Sequence, residues 1–565
     1  MRMLPWAVVT VVGVALSATG ISAQKSRVEE VTEATSGKSH DAALSRNMNT
    51  FSSIVKQVEM YYVDTINTDE SFQAAIEAYL AATDPYTEYY SADDQENLQK
   101  MTTGEYGGIG SYIMERDGGS YISQPMEGSP AVKAGLKAGD HILRVDTTDV
   151  SKMGSDKVTK LLKGVPGTQL SVTVKRPYVQ DSIVTMEITR GKLQEPSVIY
   201  DTILNGIGYI RLTSFIDKTP AEVKKVFEKF KADNGLEGIV IDLRGNGGGL
   251  VERAVDLVSN FVPKGTEVAK TIGRNPTQGR TYKTQRTPMF PDTPLAILID
   301  GASASASEIV AGSLQDLDRA VLIGSRSFGK GLVQNPVSLP YGGLLKVTIA
   351  KYYLPSGRLI QAIDYSHRNP DGTVARVPDS LTNVFKTKNG REVRDGGGLR
   401  PDTTMDWGRI NRLVYNIVAD HWAFDYATKY AAEHPQIAPA SDFVITDEMY
   451  ADFKKSIDPE KFKYDKACEE MVKTLRQTAE IEGYMNDETK AQIDTLAKLL
   501  THNLDKDLDT HREEIEEYLG DEIVSRYYYD RGKMAYNLRT DKALKLATDL
   551  IKSGWVNQTL KGNNK

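Results

Sequence analysis

Residues 295 to 310 read LAILIDGASASASEIV, a continuous apolar run that breaks into three serines alternating with alanines. The run Leu295 to Ile299 has the texture of a strand buried on both faces. Ser305 and Glu308 form a Ser-x-x-Glu capping box ahead of the apolar positions Val310, Leu314 and Leu317, so a helix starts at Ser305. Strand, tight loop and helix in that order define an α/β unit. Two readings of the serines stand at this point: one hydroxyl is a nucleophile, or all three only start a helix.

The same texture recurs outward. GYIRL and GIVIDL precede and LAILID closes a region, Gly206 to Ile299, in which apolar runs alternate with helical patterns such as Ala221 to Phe230. Three glycine-bearing loops follow strand-like runs: RGNGGGL after Gly238 to Leu243, GASASASE after Leu295 to Asp300, and SRSFGKG after Ala320 to Gly324. Parallel strands would bring all three loops to one carboxyl edge, where open α/β sheets bind ligands. Ser305 and Lys330, 25 residues apart, are spaced for a helix down and a strand back, which makes them neighbours with the serine at a helix N-terminus.

A serine nucleophile needs a base. The seven histidines (His40, His141, His367, His421, His434, His502, His511) lie outside the three loops. Lysine serves only when neutral, and from an ordinary pKa of about 10.4 burial must lower it by roughly three units. Gly329 and Gly331 flank Lys330 and allow it to be closely covered. Backbone N–H groups of Gly247, Gly248 and Ala306 are candidate oxyanion donors; the glycines equally suit a strand-to-helix turn. A nucleotide site is the competing enzyme reading, because Gly324 to Lys330 matches most of a G-x-x-x-x-G-K-[S/T] loop. It fails at Gly331, where a hydroxyl should hold Mg²⁺, and LVQNPVSLPYGG shows no helical pattern.

The whole chain of 565 residues is too long for one core. Expected divisions are 1–23, a secretory signal peptide (MRMLPWAVVTVVGVALSATGISA, with a retained anchor as the alternative); 24–97, helical; 98–190, a β-rich module; 191–405, the α/β core; and 406–565, a charged helical extension. The net charge of −7 provides no basic field for nucleic acid, and Cys468 alone permits neither an internal disulfide nor a thiolate zinc cluster.

These residues resemble the carboxyl-terminal processing peptidases, also called tail-specific proteases. The stretches that carry the resemblance are DPYTEYY (84–90), GGIGSYI (107–113), GSPAVKAGLKAGDHILRVD (128–146), GYIRLTSF (208–215), IVIDLRGNGGGL (239–250), GASASASEIVAGSLQD (301–316), GSRSFGKGLVQ (324–334) and KYYLPSGRLIQ (351–361), in family order. The resemblance implies a serine endopeptidase with Ser305 as nucleophile, Lys330 as general base, Gln334 positioning the lysine amine, and the backbone of Ala306 and Gly248 as oxyanion donors. It implies that the β-rich module is a PDZ domain binding the C-terminal tails of protein or peptide substrates. There Gly108, Ile109 and Gly110 would face the terminal carboxylate, an added strand would lie beside Ser111 to Met114, and Val158, Leu161 and Leu162 would wall the groove, core packing being the alternative reading of that helix.

The sequence departs from the family where a proline before the paired glycines is replaced by Gly247. Asp316 either supports the site or is a helix-surface carboxylate. No cofactor, metal or nucleic acid is expected, nor a stable membrane span after signal removal. The expected location is the periplasm or cell envelope, and the helical extension is a candidate homo-oligomer contact. A non-catalytic PDZ scaffold is the contrasting class.

Overall fold

The computed structural model describes residues 19–92, 103–180, 182–274, 279–369, 373–406, 408, 410–464 and 466–562, with side chains omitted for 19–38 and 366–368. The expected signal peptide lies almost wholly outside them. The described residues up to 82 and those from 83 onward form two units. In the first, the helices Thr19–Tyr61 and Thr68–Ala81 are joined by a short turn whose Asn67 caps the second helix, and the rings of Phe51 and Phe72 meet edge to face at 6.3 Å.

The second unit is built on a six-stranded sheet in the order β1 (Val198–Leu204), β2 (Ile207–Leu212), β3 (Gly238–Asp242), β4 (Leu295–Ile299), β5 (Val321–Gly324) and β6 (Thr403–Thr404). β1 pairs antiparallel with β2; every other neighbour is parallel. The three loops after β3, β4 and β5 therefore share one carboxyl edge, as the alternation of strand and helix implies. All five residues of β3 and all five of β4 are buried, because helices cover both faces. One face packs Ile239, Ile241, Ile297 and Ile299 against Phe227, Val255, Ile309 and Leu314. The other packs Val240, Ala296, Leu298 and Ile323 against Leu544, Ala547, Ile551 and Val556. The last set comes from the helices Lys542–Lys552 and Trp555–Leu560, so the C-terminal region closes the second face of the sheet.

A second, antiparallel sheet abuts the core. Its long strand Leu344–Tyr353 pairs with Leu332–Ser338, with Glu267–Gly273 and with the short strand Glu88–Tyr90. Lys330 is followed directly by the strand from Leu332, so no helix N-terminus follows it to cradle phosphate, and the nucleotide reading falls on geometry as well as on Gly331.

Strands between Ser111 and Thr189 form a further antiparallel sheet around a core of Ile122, Ile142, Val172 and Val174. The helix Ser155–Leu162 lies against it. The helices Arg412–Ala419, Trp422–Glu433, Asp447–Ser456 and Arg512–Asn537 share a core of Leu413, Tyr426, Phe453, Ile515, Leu519 and Ile523, the last three recurring at helical spacing in the sequence. This bundle is joined to the β-rich module by Arg116, which donates to both carboxylate oxygens of Asp425 at 2.7 and 2.8 Å, and by Gln124, whose amide donates to Asp530 at 2.9 Å.

Candidate active site

The loop after β4 resolves the three serines. Ser303 and Ser307 are fully buried. The Ser303 hydroxyl donates to the Leu243 carbonyl at 2.8 Å and the Ser307 hydroxyl to the Asn246 carbonyl at 2.9 Å, so both stitch the helix start to the glycine loop. Ser305 alone is partly exposed. It caps the helix Ala306–Asp316 with φ 55° and ψ −115°, a conformation L-residues rarely adopt. Its backbone N–H donates to Glu308 Oε2 at 3.0 Å, the expected half of a capping box.

Glu308 does more than cap. Its buried carboxylate also accepts from the Lys330 N–H at 2.8 Å on Oε2, and from the Gly329 N–H at 2.8 Å and the Ser327 hydroxyl at 2.5 Å on Oε1. One side chain thus ties the serine loop to the lysine loop. Burial pushes its pKa up to about 7, against the four donors that favour the anion. Tyr352, fully buried, makes a second tie: its hydroxyl donates to the carbonyls of Ser305, at 3.2 Å, and of Lys330.

Lys330 is lowered to about 8, first by burial and then by the nearby charge of Lys346. Its ammonium lies 4.1 Å from the centroid of the Tyr86 ring. Gln334 does not reach this amine by any hydrogen bond among the described residues; its amide donates to Thr348 Oγ1 at 3.1 Å, across the hairpin that carries both residues.

On the third loop, Gly248 has φ 107°, and a Cβ there would stand 2.7 Å from Ser305 Cβ and 3.0 Å from the Ala306 nitrogen. Glycine is therefore required by close approach as well as by conformation. Its N–H, however, is already donated to Asn246 Oδ1 at 2.9 Å. The Ala306 N–H, at the first helical position, has no partner among the described residues. The loop itself hangs on Arg244, which donates to Asp242 through Nε (2.9 Å) and Nη2 (2.6 Å) and from Nη2 to Asp541 (2.6 Å). Asp316 is not on the surface: it is buried in an ion pair with Arg358 at 2.7 Å and shapes the core.

In the β-rich module, Gly110 has φ 77° beside Ser129, and the Gly110 and Ile109 carbonyls accept from Met126 and Ala131. Among the described residues Ser111–Arg116 is an edge strand, paired with Gly119–Pro125 alone. Val158 and Leu162 are sealed in the core, at 0% and 3% exposure, because the helix Ser155–Leu162 buries that face against Ile122 and Ile142. They are interior residues and not an open groove wall; Leu161 remains partly exposed.

Glu308, Tyr352, Asn246 and Tyr86 are the members of the site that motif reading did not single out as such. Glu308 carried a signal in the capping box and Tyr86 in the DPYTEYY stretch, but their contacts with the lysine loop are non-local.

Residues 206–372 match the model of peptidase family S41, residues 107–189 that of the PDZ domain, and residues 413–551 that of the C-terminal helical domain of a probable PDZ-protease. A carboxy-terminal-processing protease of Bartonella bacilliformis is 34% identical over 349 residues, covering 61% of this chain and 79% of the relative. A probable CtpA-like serine protease of Staphylococcus haemolyticus is 30% identical over 436 residues, covering 75% and 85%. Among solved structures, the photosystem II D1 C-terminal processing protease aligns at 27% identity and a TM-score of 0.36, covering 62% of this chain and 86% of that one.

The chain belongs to peptidase family S41 and is a serine-type peptidase of the carboxy-terminal-processing group. It carries a PDZ domain, a peptide-binding class of module. No helix among the described residues is long and apolar enough to cross a membrane.

Proposed function

We propose that the chain is an endopeptidase that captures exposed C-terminal tails in its PDZ domain and hydrolyses peptide bonds with a Ser305/Lys330 dyad. The observation that carries this reading is the Glu308 carboxylate, which accepts from the backbone of both Ser305 and Lys330 and so holds the two loops in one register. Burial of Lys330 supplies a neutral amine near pH 8.

In the first half-reaction the Ser305 hydroxyl oxygen attacks the scissile carbonyl carbon while its proton passes to Lys330 Nζ. The Ala306 N–H stabilises the oxyanion; Gly248 joins it by exchanging its Asn246 partner for the substrate oxygen. Collapse breaks the C–N bond, the lysine proton goes to the departing amine, and an ester to Ser305 remains. Water, deprotonated by the neutral lysine, then attacks the ester, and its proton returns to the Ser305 oxygen as the acid product leaves.

Tail capture is assigned to Gly108, Ile109 and Gly110, with the substrate added as a strand along Ser111–Arg116. The same proposal reads residues 1–23 as an export signal, cleaved or retained as an anchor, gives the protein an envelope-facing location, and assigns any homo-oligomer contact to the helical extension.

The test is incubation of wild type, Ser305→Ala and Lys330→Ala with an unfolded, tailed protein, followed by mass mapping. The dyad predicts fragments from wild type alone and an acyl adduct at Ser305 with an electrophilic probe. Cleavage surviving either substitution would refute it.

A further inference from the structure

The Lys330 ammonium lies over the ring of Tyr86, 4.1 Å from its centroid. A cation at that distance is attracted by the ring quadrupole, and the attraction vanishes when the amine loses its proton. The ring is held firmly. Asp84, buried, accepts from the Tyr86 and Thr87 N–H groups at 2.8 and 2.9 Å and from the Thr87 hydroxyl at 3.1 Å, which makes a tight turn just before the ring. Thr87 Oγ1 in turn accepts from the Thr348 N–H at 3.2 Å, and Thr348 Oγ1 accepts from the Gln334 amide. Immediately downstream, Glu88–Tyr90 is paired with Leu344–Lys346. The Tyr86 ring also meets Tyr365 edge to face at 6.1 Å.

Residues 84–90 are therefore a strap sewn onto the hairpin that begins beside Lys330, and the strap places one ring over the amine. The chain of contacts from Gln334 runs through Thr348 and Thr87 to the turn that carries this ring.

We propose that Tyr86 is a positioning residue for the Lys330 amine, held over it by a strap that Thr348 and Thr87 help to anchor. This rests on the reading of Lys330 as the base. The ring gives the ammonium a fixed resting direction and sets how far burial alone can neutralise it. The other charged groups around the amine are Lys346, which opposes its charge and is itself paired with Glu88, and Asp84, Glu88 and Glu308, which favour it. The ring acts in the same direction as the three carboxylates. Removing it should make the amine easier to deprotonate and less well aimed.

The experiment uses the full chain with Tyr86→Leu, Tyr86→Phe and Thr87→Val, and two readouts. The first is the pH dependence of acetylation of Lys330 by acetic anhydride, quantified by mass spectrometry, which reports protonation without catalysis. The second is the pH profile of kcat/KM on an unfolded, tailed protein. Tyr86→Leu should move the Lys330 titration down by on the order of half to one pH unit, and lower the plateau rate by about tenfold. Tyr86→Phe, which keeps the ring, should retain the titration. Thr87→Val should shift it in the same direction as Tyr86→Leu by a smaller amount. An unmoved Lys330 titration in Tyr86→Leu overturns the proposal. Should circular dichroism show that variant unfolded, Tyr86→Met carries the same prediction. If the labelling titration shifts but the activity limb does not follow, Tyr86 is confirmed as the lysine's partner and it is the base assignment that fails.

Discussion

At Ser305 the backbone sits at φ 55° and ψ −115°, a conformation that costs a non-glycine residue about 1–3 kcal/mol. Strain of this kind makes a prediction that a simple cap would not. Ser305→Gly should abolish turnover yet stabilise the fold by about 1 kcal/mol, whereas Ser305→Ala should abolish turnover with no such gain; thermal or denaturant unfolding of the two variants separates them. A second prediction concerns pH. A base must be neutral, and Lys330 is lowered to about 8, so kcat/KM should rise through an acidic limb near pH 8 and fall as the lysine is protonated below it. Glu308→Gln replaces one carboxylate oxygen by an amide that cannot accept from the donors facing it. It should cost about 2–4 kcal/mol of stability and lower kcat more than KM changes, measured by denaturant unfolding and by steady-state kinetics. That Ser305 and Lys330 lie on neighbouring loops of one sheet edge was legible because each follows a buried strand in a short motif, Ser305 ahead of a helix and Lys330 ahead of another strand. The larger role of Glu308 was not: a capping box is local, and nothing in the spacing 305 to 308 reveals that the same carboxylate also receives the lysine loop.

Among elements, the parallel strands and their shared loop edge could be read from apolar runs alternating with helical patterns. What covers each face could not, because an apolar run records burial without naming the partner. The second face of the sheet is closed by Lys542–Lys552 and Trp555–Leu560, more than two hundred residues beyond β5. Asp541 joins those helices to the site. It caps the first of them through the N–H groups of Ala543 and Leu544 at 2.9 and 3.0 Å, and it pairs with Arg244 at the foot of the glycine loop. Asp541→Ala removes a cap and leaves a mostly buried guanidinium half paired. The expected loss is about 2–4 kcal/mol, together with reduced kcat, while Asp541→Asn keeps much of the cap and isolates the ion pair; unfolding curves and kinetics on both variants check this. In the PDZ domain, Val158 and Leu162 show the opposite limit. A helix of the right period has two apolar uses, core and groove, and only the packing against Ile122 and Ile142 decides between them.

For the molecule as a whole, the helical region after residue 411 is structural to the peptidase as well as to itself. Ending the chain at residue 405 would bare Val240, Ala296, Leu298 and Ile323 on the open sheet face, and the product should aggregate on expression where the full chain stays dispersed, as size-exclusion chromatography would show. The same region also holds the PDZ domain, through the double hydrogen bond from Arg116 to Asp425 and the contact of Gln124 with Asp530. On the proposed function, a tail captured in a module fixed in this way would lie at a set distance from Ser305, and distance along an extended chain is counted at about 3.3 Å per residue. The two carboxylates on the helical bundle thereby make the peptidase a ruler: cuts should cluster at a constant number of residues from the substrate's C-terminus, and Arg116→Ala should blur that spacing while leaving the chemistry of each cut unchanged.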